Sequence, residues 1–127
     1  MNERSTEILK RFSQSWAETE KFFRDLVEKH GWERLTQLFG FIEKLRQQGY
    51  EKSFRLGASV NRLIISRSVE HGLRDDQKYI VIDILEPRNI EIILRDGIKI
   101  YREYQIESLD DSRLEKLIKT LGSELIT

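Results

Sequence analysis

Gly49-Tyr50-Glu51-Lys52-Ser53-Phe54-Arg55-Leu56 is where the chain changes its hydrophobic period from about 3.6 residues to 2. Before it, apolar residues recur at helical spacing. After it, Tyr50, Phe54 and Leu56 alternate with Glu51, Ser53 and Arg55, as on a strand with one buried face.

Upstream, Leu9, Phe12, Trp16, Phe23 and Leu26 mark one face of a helix between Ser5 and Lys29. Glu7/Arg11, Glu20/Arg24 and Asp25/Lys29 are i,i+4 pairs in the favourable order. His30 belongs at this helix's C-terminus, and Gly31 tolerates the left-handed backbone that ends many helices. Trp32, Leu35, Leu38, Phe39, Ile42 and Leu45 repeat the pattern until Gln47-Gln48-Gly49, which predicts a helical hairpin. Phe22 and Val27 widen the first helix's apolar arc beyond what one packing partner needs, so the second helix is expected to cover one part and either the sheet or a second copy of the chain the other.

Downstream, Gly57-Ala58-Ser59 reads as a turn leading into Val60 to Arg67, and the polar segment from Ser68 to Gln77 reads as an exposed loop. Tyr79 to Leu85 is rich in β-branched residues and ends at Glu86-Pro87-Arg88-Asn89. Ile90 to Leu94 follows, Asp96-Gly97 is a strong hairpin signal, and Ile98 to Tyr104 completes a five-stranded, mostly antiparallel meander. Ser108-Leu109-Asp110-Asp111 then opens a last helix on Leu114, Leu117, Ile118, Leu121 and Leu125. Runs of helices and strands, rather than strict alternation, predict one α+β domain with its helices on one sheet face. Its parts are a helical hairpin at 1–49, an antiparallel sheet at 50–106 and a C-terminal helix at 107–127. Asp83 interrupts an apolar strand and shares its parity with Tyr79 and Val81, so that face is expected to meet solvent.

A chain of 127 residues can bury a core without staples. It has no cysteine, which excludes disulfides, thiolate metal sites and cysteine nucleophiles. No apolar run approaches the roughly 18 residues that span a bilayer, and Met1 to Lys10 lacks the apolar segment of a signal peptide. A cytoplasmic protein without a membrane role is expected. The 22 cations balance the 22 acids, so any electrostatic partner must be read by a local patch.

That patch runs from Lys52 to Arg67, where Lys52, Arg55, Arg62 and Arg67 occur with no acid between them. Such a hairpin could grip phosphates, with Tyr50 or Phe54 for stacking, although basic edge strands also guard against sheet-to-sheet pairing. Asp83, Glu86 and Glu91 flank a strand–turn–strand, as the metal-binding carboxylates of nucleases do, but Ile93 stands where the companion lysine belongs. His71, Asp75 and Asp76 share the loop, where turn chemistry is their ordinary role. No GxSxG, GxGxxG, GxxxxGK or HExxH pattern occurs, and no cofactor is expected. Tyr101 and Arg102, near the end of the last strand, form the kind of pair that anchors protein interfaces. The residues lean away from catalysis, toward a protein-binding or regulatory module that meets a partner protein or itself. A nucleic-acid binder using hairpin 52–67 is the alternative, with a metal-dependent hydrolase third.

Overall fold

The computed structural model describes residues 3–69 and 77–124. Helix α1 (Glu3–His30) is followed by a 3₁₀ turn at Glu33–Thr36 and helix α2 (Gln37–Gln47). A second 3₁₀ turn, Tyr50–Lys52, leads into five strands: β1 (Arg55–Ser59), β2 (Arg62–Ser66), β3 (Lys78–Glu86), β4 (Asn89–Asp96) and β5 (Lys99–Ile106). Helix α3 (Ser112–Leu121) closes the fold. The strands pair antiparallel in sequence order, β1-β2-β3-β4-β5, so the molecule is α+β with a meander sheet.

Period 2 on the sheet and period 3.6 on the helices meet in one core. Leu56, Leu63, Ile65, Ile80, Ile82, Ile84, Ile90, Ile92 and Leu94 share one face of the sheet and belong to a continuous buried cluster. Trp16 and Phe23 of α1, Leu38, Ile42 and Leu45 of α2, and Leu114, Leu117 and Leu121 of α3 complete it. All three helices therefore lie against that face.

Two turn details depart from the sequence reading. Gly57 to Ser59 lies inside β1, and the reversal is the two-residue link Val60-Asn61 between the paired Ser59 and Arg62. Tyr50 to Lys52 is 3₁₀ rather than strand, so the sheet begins at Arg55. At Asp96-Gly97 the hairpin forms as predicted, with Gly97 at φ 62° in the first central position, the place a type II′ turn reserves for glycine.

The α1 ion pairs also rearrange. Arg11 meets Glu7 at 2.9 Å and Lys29 meets Asp25 at 3.6 Å. Glu20 turns inward to Arg46 of α2 instead, and Arg24 lies over the Phe39 ring at 5.0 Å. Arg46 further binds Glu51 at 2.8 Å and Glu43 at 2.9 Å, and stacks on Trp16 at 5.6 Å. One guanidinium thus ties α1, α2 and the turn before the sheet.

Candidate functional site

The second sheet face is not the solvated surface that parity suggested. Tyr79 is 9% exposed, Val81 9% and Asp83 7%, and Ile64 packs with Tyr79, Val81 and the half-buried Ile93 into a small second cluster. The sequence reading failed here because it weighed one strand at a time. In a central strand each residue is also screened by its neighbours on both sides, and β3 has β2 and β4 beside it.

Strand register sorts this face into three bands. At one end Ser59 pairs with Arg62, Arg62 comes beside Asp83, and Asp83 pairs directly with Glu91. In the middle Gly57, Ile64, Val81 and Ile93 follow one another across four strands. At the other end stand Arg55, Ser66, Tyr79 and Arg95. The bands read acidic, apolar and basic. A groove of about 370 Å³ lies over β2, β3 and β4, with Arg62, Asp83, Glu91 and Arg95 on its lining.

Asp83 Oδ2 accepts from Arg62 Nε at 3.1 Å, whereas its Oδ1 is buried and accepts no hydrogen bond. Glu91 accepts from Gln105 Nε2 at 3.2 Å. At the basic end, Arg95 donates from one terminal nitrogen to the Ile98 carbonyl, while its buried Nε has no partner.

The four cations proposed for phosphate contact do not share one surface. Lys52 is exposed on the 3₁₀ turn before β1. Arg55, on the second face, donates to the Val69 carbonyl at 3.0 Å. Arg62 stands at the acidic end of that face, over Asp83. Arg67 is internal: it donates to the carbonyls of Ser53 and Glu124 and lies over the Phe54 ring at 5.5 Å, and burial pushes its guanidinium below the usual arginine value.

Of the carboxylates, Asp83 and Glu91 are brought side by side, while Glu86 sits exposed at the end of β3, beyond a register shift. No group of three or more potential metal ligands occurs among the described residues. His71, Asp75 and Asp76 lie outside the described residues.

A third feature is the corner made by the β4–β5 turn and the open edge of β5. Leu94 pairs with Arg102 and Arg95 with Ile100, which leaves Tyr101 as the extra residue of a bulge. Ile98 is 76% exposed, Ile100 53% and Tyr101 47%. The Tyr101 ring is flanked by Lys78 Nζ at 5.1 Å and the Arg102 guanidinium at 4.6 Å. Lys78 is held in turn by Glu124 at 2.7 Å, a hydrogen bond that raises its pKa above the ordinary lysine value. Sequence reasoning picked out Tyr101 and Arg102 but missed Ile98 and Ile100, whose alternation with Lys99 looked like ordinary strand patterning.

No helix among the described residues is long and apolar enough to cross a membrane. The chain matches no protein-family model, no curated protein and no solved structure.

Proposed function

We propose that the chain is a non-catalytic protein-binding module whose partner docks on the β4–β5 corner. The observation that carries this reading is the exposure of three large apolar side chains at one corner, Ile98 in the β4–β5 turn and Ile100 and Tyr101 at the start of the bulged edge strand. Large apolar side chains left exposed at one corner of a small domain favour an interaction site, and tyrosine and arginine are enriched among the residues that anchor interfaces. The outer edge of β5 adds unpaired backbone groups to which a partner's strand could bond. Nucleic-acid binding ranks below this because Arg55, Arg62 and Arg67 each have an acceptor within the fold.

The test is affinity purification of the tagged protein from its native cells after nuclease treatment, beside an Ile98→Glu/Tyr101→Glu variant whose folding is checked by thermal melting. A stoichiometric protein, or a second copy seen by light scattering, should be retained by the wild type and fall at least about tenfold in the variant. Equal retention by both would move the interface elsewhere, and loss of all captured material to nuclease would favour nucleic acid.

A further inference from the structure

Exposed apolar side chains are concentrated at the two ends of the sheet. Six large ones are exposed among the described residues, and all but Phe22 of α1 lie in or beside the turns between strands. Consecutive strands of the meander run in opposite directions, so the β1–β2 and β3–β4 links fall at one end and the β4–β5 link at the other. The first end carries Val60, 76% exposed, and Leu85, 44% exposed. The second is the corner of Ile98, Ile100 and Tyr101. Strands of eight or nine residues hold the two ends about 25–30 Å apart.

The two ends also differ in charge. At the first, the cations are already matched, since Arg62 meets Asp83 at 3.1 Å and Arg88 meets Glu107 at 3.0 Å. Glu86, exposed at the end of β3, forms no ion pair among the described residues. At the corner, Lys78 is matched by Glu124 and Lys99 stands opposite Asp96. Arg95 and Arg102, by contrast, donate only to backbone carbonyls among the described residues. The surplus is negative at one end and positive at the other, so two apolar surfaces of the same chain are complementary in charge.

Val60 points the same way on separate grounds. It holds φ 59°, which strains a β-branched side chain and which glycine adopts freely, yet most of its side chain touches nothing inside the fold. Strained positions cluster where a protein meets another molecule. We infer that copies of the chain associate head to tail, the end carrying Val60 and Leu85 docking on the β4–β5 corner of the next copy with Glu86 set against Arg95 and Arg102. This names the corner's partner and so rests on the reading above. Because the contact joins different surfaces at opposite ends of the sheet, a pair leaves one of each free and growth continues.

The test is light scattering of the full chain from about 10 μM to about 1 mM, at low and at high salt. The mean mass should rise with concentration beyond that of a dimer and fall as salt screens the charges. Val60→Gly/Leu85→Ser and Ile98→Glu/Tyr101→Glu should each weaken assembly at least about tenfold. Val60→Gly alone relieves the strained turn, so weaker assembly by that variant with an undiminished melting temperature separates the interface from the fold. Mixed in equal amounts, the two double variants should form a one-to-one pair and stop there, because each keeps one intact surface. A wild type that stays monomeric or stops at the dimer, or a mixture that does not pair, would overturn head-to-tail assembly. Assembly lost in the corner variant but kept in the Val60→Gly/Leu85→Ser variant would overturn it too, while leaving the corner as a docking site for the capture experiment to decide.

Discussion

Single side chains settle how the elements meet, and Ser15 is the clearest case. It is 3% exposed, donates to the Phe12 carbonyl at 2.6 Å and accepts from the Leu56 amide at 3.0 Å. Its neighbour Trp16 donates to the Phe54 carbonyl at 2.9 Å. Together they satisfy backbone groups along the outer edge of β1 that would otherwise be open to pairing. Ser15→Ala leaves the Leu56 amide buried without an acceptor, and should cost about 2 kcal/mol in urea unfolding. Glu51 provides a pH-dependent counterpart. Burial pushes its carboxyl up, but hydrogen bonds from Arg46 and Ser13 outweigh burial and hold it below the ordinary value of 4.5. Because the folded value is depressed, the stabilisation is complete above about pH 4.5 and disappears as the pH falls through the lower folded value. Glu51→Gln should therefore cost about 1 kcal/mol at pH 7 and progressively less below pH 4.5, measured by paired melts across pH.

At the scale of elements, turns and caps show how local chemistry can be read and where it misleads. Asp111, rather than Ser108, caps α3, its Oδ1 accepting from the Arg113 amide at 2.9 Å. Both residues carry the side-chain oxygen a cap needs, and Asp111 is the one that immediately precedes the first helical residue, Ser112. The β1–β2 link is the opposite case. Val60 holds φ 59° and is 76% exposed, although β-branched residues strongly avoid positive φ. Sequence rules placed the turn on Gly57, where glycine permits one. The pairing of Leu56 with Ile65 and Leu63 with Ile82 buries four core residues only if the reversal falls at Val60-Asn61. Core burial wins over a local strain of about 1–2 kcal/mol. Val60→Gly removes that strain at a smaller entropic cost, so it should stabilise by about 1 kcal/mol, read as a higher denaturant midpoint with an unchanged slope.

On the scale of the whole molecule, the sheet is asymmetric in packing and in the chemistry of its two faces. One face carries the helices and most of the core, while the other presents charge bands and a groove. The Arg46 network joins α1, α2 and the chain entering the sheet, and the carboxylates of Glu20, Glu43 and Glu51 hold its guanidinium above the ordinary arginine value, Glu20 most strongly and against the opposing pull of burial. The basic stretch from 52 to 67 dissolves as a unit at this scale. Its cations leave the chain on different faces and at opposite ends of β1 and β2, so proximity in sequence did not become proximity on a surface.

The sequence alone determined the number, type and order of the elements, because periods of 3.6 and 2 are properties of each segment's own backbone. Gly49, the Pro87 turn and Asp96-Gly97 are local signals and were legible for the same reason. Tyr101 and Arg102 could be singled out as residues of the last strand. Their setting could not, since the bulge at Tyr101 arises from pairing between β4 and β5. Only the tertiary structure decided that Asp83 is buried, that it faces Glu91, and that Ile64, Val81 and Ile93 form one apolar row. These are facts of register between strands, and register is fixed by what the core buries rather than by any stretch of sequence read by itself.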